Sequence, residues 1–97
     1  MTYRNRALLN LAHKLNTCPL CGKYSMDGLE PAHSDSSRHG KGMGHKASDV
    51  FHAAICHDCH TLLPNLDRNT RELTWSRAFE ATMLAYFENG WITLKGK

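Results

Sequence analysis

Cys56-His57-Asp58-Cys59-His60 is the stretch on which the fold turns, because it repeats the spacing of Cys18-Pro19-Leu20-Cys21 earlier in the chain. Two residues between cysteines let both thiolates reach one ion at about 2.3 Å from a single turn, and two such knuckles complete a tetrahedron. All four cysteines of the 97-residue chain are used in this way. The pattern points to a structural zinc held by Cys18, Cys21, Cys56 and Cys59. A four-thiolate site is closed to substrate and contributes folding energy, which a chain this short needs because it buries a small share of its surface. Any chemistry must come from other residues.

Outward from the knuckles, the composition is that of an ordinary globular domain, with 41% hydrophobic and 22% charged residues. No run approaches the roughly 18 to 20 apolar residues of a membrane span. The start, Met1-Thr2-Tyr3-Arg4-Asn5-Arg6, does not read as a secretory signal, so a reducing cytoplasmic location is expected, where cysteine pairs hold metal more often than they form disulfides. Histidine is the outlier, with seven residues.

Leu8, Leu11, Ala12 and Leu15 fall on one helical stripe and predict a helix over about 3–16. Tyr24-Ser25-Met26 and Leu29-Glu30-Pro31-Ala32-His33 flank Asp27-Gly28, a dipeptide favoured in hairpin turns, and read as two arms of a hairpin. Residues 34–48 are rich in Ser and Gly and read as a long loop. Val50–Ile55 reads as a strand entering the second knuckle, with one or two helical turns until Pro64. Residues 65–73 read as a polar connection. Thr74 is the expected N-cap of a helix to about Asn89 that buries Trp75, Ala78, Phe79, Met83 and Tyr86 or Phe87, with Gly90 as its stop. Trp91–Leu94 reads as a closing strand. Residues 1–97 thus form one α+β domain: an N-terminal helix, a zinc-braced core over about 18–72, and a C-terminal helix and strand over about 74–95.

An Ala-His pair (Ala32-His33) ending a strand, a Gly-rich loop, an acid (Asp49) opening the next strand, and Cys-x-x-Cys-His (Cys56–His60) entering a helix together resemble the ββα-metal finger of HNH endonucleases. The version is the one braced by cysteine-bound zinc, with a treble-clef-like shape. The run Gly42-Met43-Gly44-His45-Lys46-Ala47-Ser48-Asp49 is similar to the Gly-x-Gly-x-Lys-x-x-Asp run of small prophage-encoded proteins of the YbcO type. The resemblance covers about residues 18–72.

It implies catalytic roles for His33, Asp49 and His60. His33 would be the general base, since an imidazole titrating near 6.5 can take a proton from water at neutral pH. His60 would hold a divalent ion, most simply Mg²⁺ or Mn²⁺, that stabilises charge on the phosphate and the leaving 3′-oxygen. Asp49 stands where many HNH enzymes carry the Asn that orients the base, and as an acid it is also a candidate ligand. Many relatives carry a His or Asp directly before the base; here that place is Ala32, leaving Glu30, Asp35, Asp49 and His57 as substitutes. The remaining histidines read as less committed: His13 at the surface, His52 packed or hydrogen-bonded in its strand, His39 and His45 in the loop.

The formal charge of +3 is uneven: up to Lys46 there are seven Lys/Arg against three acids. Arg4, Arg6, Arg38, Lys41 and Lys46 are therefore the candidate contacts to a DNA backbone. The expectation is a metal-dependent HNH-type endonuclease acting on double-stranded DNA in phage or prophage DNA processing, with phage protein partners or a homodimer compatible with it and no membrane. The rivals are a non-catalytic zinc-finger module binding DNA or protein, and an RNA-directed nuclease.

Overall fold

The structure is a computed structural model and describes residues 3–39, 41–42 and 46–94. It is an α+β arrangement of three helices and a two-stranded antiparallel sheet. Helix α1 spans Arg6–Asn10 and runs into a 3₁₀ turn, Leu11–Lys14; strand β1 is Glu30–His33; strand β2 is His52–Ile55; α2 is His57–Leu62; α3 is Arg68–Glu88. A second 3₁₀ turn, Ser37–His39, lies in the β1–β2 loop and a third, Leu63–Asn65, follows α2. Among the described residues, no helix is long and apolar enough to cross a membrane.

The sheet is where the sequence misleads. The expected hairpin does not form: Tyr24 bridges Thr17, while β1 pairs with β2 in the register Glu30–Ile55, Pro31–Ala54, Ala32–Ala53 and His33–His52. The turn itself survives, closed by Gly28 N–H on the Ser25 carbonyl. Tyr24 and Met26 are largely exposed, whereas all four residues of β2 are buried, so the apolar strand takes the partner that covers it. Proline in β1 is tolerated for a geometric reason. Ala54, its cross-strand neighbour, points its N–H away from β1 to the Thr82 hydroxyl at 2.9 Å, so no donor is needed at Pro31.

Helix α3 crosses the sheet and is pinned by two side chains. Trp75 donates from Nε1 to the Ala32 carbonyl at 2.9 Å, and Thr82 both receives the Ala54 N–H and donates to the Ala78 carbonyl. Its buried face is Trp75, Ala78, Thr82 and Tyr86. Phe79 is half-buried and stacked on Trp75, Met83 is half-buried, and Phe87 is exposed. The helix begins seven residues earlier than expected, with Asp67 rather than Thr74 at the N-cap position. Residues 68–73 carry no Gly or Pro and are mostly polar, with only Arg71 and Glu72 partly buried, so hydrophobic patterning does not mark them as helix.

The N-terminal helix is shorter than expected and tightens into 3₁₀ geometry before Leu15, whose carbonyl receives the Leu29 N–H. The closing strand does not form among the described residues. Gly90, with φ +74°, turns the chain back, Trp91 N–H bonds the Tyr86 carbonyl, and Lys14 Nζ lies 4.7 Å from the Trp91 ring centre. The core joins Ala12, Leu29, Ile55, Leu63 and Trp75 with alanines 32, 53, 54 and 78, whose small side chains let α3 approach the sheet closely.

Candidate functional site

Both knuckles meet beside the core. The four cysteine sulfurs lie within 4.8 Å of one another, with Cys18 Sγ 3.8 Å from Cys59 Sγ and Cys21 Sγ 3.7 Å from Cys56 Sγ. A tetrahedron with metal–sulfur bonds of about 2.3 Å has sulfur–sulfur edges of about 3.8 Å, whereas a disulfide needs about 2.05 Å. The geometry is thus that of a group able to hold a metal ion such as zinc. Local backbone prepares it: Gly22 at φ +74° sends its N–H back to the Cys18 carbonyl, and Cys56 caps α2, its Sγ receiving the Cys59 N–H. Burial works to raise the pKa of the Cys18 thiol, but the N–H groups of Cys56, Cys21 and Leu20 together outweigh it and draw the thiol down to about 7. Cys59 is pushed the other way, by burial first and by the crowding thiols next. Only a bound cation would let all four sulfurs ionise at this spacing.

A second constellation forms around β1. His33 Nε2 is 2.8 Å from Asp49 Oδ1. An ionised carboxylate only accepts, so Nε2 carries the proton and Nδ1 is the lone-pair nitrogen of the neutral ring. No group among the described residues is hydrogen-bonded to Nδ1. Asp49, only 5% exposed, also receives the Asn5 N–H on Oδ2 at 2.6 Å and Arg4 Nη1 on Oδ1 at 3.3 Å. Burial works to raise its pKa, but the His33 bond, the Asn5 N–H and Arg4 outweigh it and hold the carboxyl below its ordinary value. Both oxygens are engaged.

His60 is reached from the other end of β1. Its Nδ1 lies 2.8 Å from Glu30 Oε1, and His57 Nδ1 lies 2.9 Å from Glu30 Oε2. The carboxylate is held below its ordinary pKa, chiefly by the His60 bond and further by His57, against a partial burial that opposes it. By the same donor argument His60 carries its proton on Nδ1, leaving Nε2 with the lone pair. His33 and His60 both line a cavity of about 220 Å³, with Ser34, Asp35, Arg38, His39, Arg71 and Trp75 also on its wall.

Comparison of the chain with protein-family models, with curated proteins and with solved structures finds no match.

Of the residues singled out from sequence, His33 and Asp49 are hydrogen-bonded and His33 and His60 share a cavity, whereas Asp49 is not among that cavity's lining residues. Of the basic candidates, Arg38 lines the cavity, and Arg6 and Lys46 are exposed. Lys41 pairs with Asp35 at 3.5 Å, and Arg4 is spent on Asp49 and on the Ala47 and Lys46 carbonyls. His39 is packed, stacked 4.1 Å over Phe51 and bonded to Ser34 Oγ. His45, Met43 and Gly44 lie outside the described residues. His52 is fully buried: Nδ1 donates to the Asp49 carbonyl at 2.6 Å, so Nε2 accepts from the Tyr86 hydroxyl at 2.9 Å. The sequence offers Glu30 only as a substitute metal ligand, not as the partner of His57 and His60, and gives no signal for Arg71. Glu30 shows its role only once its register opposite Ile55 is known, and Arg71 only once α3 is known to begin before it.

Proposed function

We propose that the chain is an HNH-type endonuclease that hydrolyses phosphodiester bonds of DNA, its ββα unit being a treble-clef-like finger braced by zinc. One observation carries this: His33, oriented through Nε2 by buried Asp49, and His60, oriented through Nδ1 by Glu30, open onto one cavity. Each ring is left with its lone-pair nitrogen free for work. The order of parts, β1 ending in His33, Asp49 before β2, and His60 on α2, supports the same reading.

In this reading His33 Nδ1 takes the proton of a water molecule, which attacks phosphorus. Asp49 fixes the tautomer and balances the imidazolium that forms. Arg4 and the Asn5 N–H keep Asp49 ionised and still. His60 Nε2 is the nitrogen that would hold a divalent ion. Among the described residues the cysteines form the only cluster of three or more His, Cys, Asp or Glu ligands close enough for a metal, so the rest of that ion's shell would be phosphate oxygen and water. Such an ion, Mg²⁺ or Mn²⁺, would supply positive charge to offset the negative charge developing on the phosphate and the 3′-oxygen.

The test is cleavage of supercoiled plasmid in Mg²⁺ and in Mn²⁺ by wild type and His33→Ala, with bound zinc measured for both. Wild type should nick or cut, and His33→Ala should lose about 10²- to 10⁴-fold in rate with zinc content and folding unchanged. Wild-type protein that binds DNA but cuts under neither ion would make the finger a non-catalytic binding module. Cleavage confined to an RNA substrate would redirect the activity.

A further inference from the structure

The wall of the cavity contributed by α3 carries a cation that the roles of His33 and His60 leave unused. Arg71 Nη1 donates to the Leu66 carbonyl at 3.3 Å, and Nη2 lies 3.3 Å from Asp35 Oδ2. Its Nε is buried and, among the described residues, has no acceptor. Charge-assisted hydrogen bonds run about 2.7 to 2.9 Å, so every contact this guanidinium makes is slack. Asp35 is equally uncommitted: half-exposed, it holds Arg71 through one oxygen and Lys41 through the other at 3.5 Å. Pairs of this exposure contribute little, and a better acceptor displaces them easily. Glu72, the other acid of the wall, is turned to Arg68.

We infer that Arg71 is the phosphate-binding residue of this cavity, and that Asp35 is a latch occupying it until a phosphodiester arrives. The inference rests on the nuclease reading for the identity of the ligand. A guanidinium presents a planar fork matched to two phosphate oxygens, which a carboxylate held at one oxygen does not exploit. The cavity, about 220 Å³, is smaller than the roughly 300 to 1,000 Å³ of sites that enclose whole small molecules, which suits one backbone phosphate with the bases left outside. On leaving Arg71, Asp35 keeps only its loose pairing with Lys41, two residues along the chain from His33.

The experiment is fluorescence anisotropy of a short labelled DNA duplex at fixed salt, in a His33→Ala background without added divalent ion. Melting temperature and zinc content are recorded for every variant. Arg71→Ala should weaken binding about tenfold or more, and Arg71→Lys should restore only part of it. Arg77→Ala, which removes an exposed charge from α3 away from the cavity, should have a much smaller effect. Asp35→Asn should tighten binding a few-fold, since it removes the competing anion. A purely structural Arg71–Asp35 pair predicts the opposite, with Asp35→Asn and Arg71→Ala weakening binding alike in step with stability. Unchanged binding in Arg71→Ala, weaker binding in Asp35→Asn at equal melting temperature, or no binding by the parent protein each overturns the inference. Arg71-dependent binding in a protein that never cuts plasmid would uphold it while removing the nuclease reading. Cutting by wild type with no dependence on Arg71 would do the reverse.

Discussion

At the scale of single residues, the protein shows imidazoles sorted by what holds them. His33 and His60 are each held at one nitrogen by a carboxylate, while His52 is held at both and sealed in. In the proposed nuclease, replacing Asp49 with Asn should therefore lower plasmid cleavage by about 10²- to 10⁴-fold, because an amide can hold either tautomer and cannot balance an imidazolium. Tyr86→Phe should cost about 1 to 3 kcal/mol in urea unfolding, since it leaves the buried Nε2 of His52 without a donor. The pH dependence follows from the same groups. Burial lowers the pKa of His52, and burial with Arg38 lowers that of His39, so as pH falls below about 6.5 the unfolded chain binds protons that the native state does not. Stability should decline from that point downward. Asp49 and Glu30, held below their ordinary values, contribute fully above about pH 4 and lose their contribution as pH falls through their folded pKa values. Urea midpoints measured down a pH series should show both stages. A flat profile between pH 7.5 and about 5 would contradict the burial of the two histidines.

At the scale of elements, the sheet depends on α3 for more than cover. Thr82→Val keeps the shape but removes the acceptor of the Ala54 N–H, and should cost about 1 to 3 kcal/mol by urea denaturation, against well under 1 for an exposed α3 position such as Arg77→Ala. Gly28 is fixed by a different constraint: at φ +91° a Cβ there would collide with the backbone of His13, so Gly28→Ala should prise the N-terminal segment from β1 and cost more than about 1 kcal/mol. These contacts also explain what sequence could and could not reveal. Cys-x-x-Cys spacing and the apolar run before Cys56 are local signals, and the metal-binding quartet, β2 and α2 follow from them. The partner of β2 is a long-range choice made by burial, which is why Asp27-Gly28 marked a true turn and a false hairpin. The roles of Glu30 and Arg71 depend on that choice and on the start of α3, and no pattern within either segment announces them.

For the whole molecule, a radius of gyration of 13.2 Å is near the roughly 13 Å of a folded chain of this length. Compactness is reached with a core in which five alanines do much of the packing, so the cysteine quartet is the expected keystone. Removal of the metal by a strong chelator, or Cys18→Ser, should abolish the cooperative thermal transition or lower its midpoint sharply, followed by circular dichroism alongside metal analysis. Retention of the full transition in a verified metal-free protein would show that the alanine core suffices alone.

Residues 3–5 run alongside the β1–β2 loop rather than away from it: Tyr3 exchanges backbone and hydroxyl contacts with Ser48 and Asp49, and Arg4 and Asn5 clasp the Asp49 carboxylate. This tether has a practical meaning for anyone handling the protein. In the proposed nuclease, a chain recut to begin at Arg6, or a bulky tag fused close to Tyr3, would loosen the carboxylate that orients His33 although it lies nearly thirty positions away in the chain. Side-by-side turnover of N-terminally and C-terminally tagged protein would expose it, with only the former impaired.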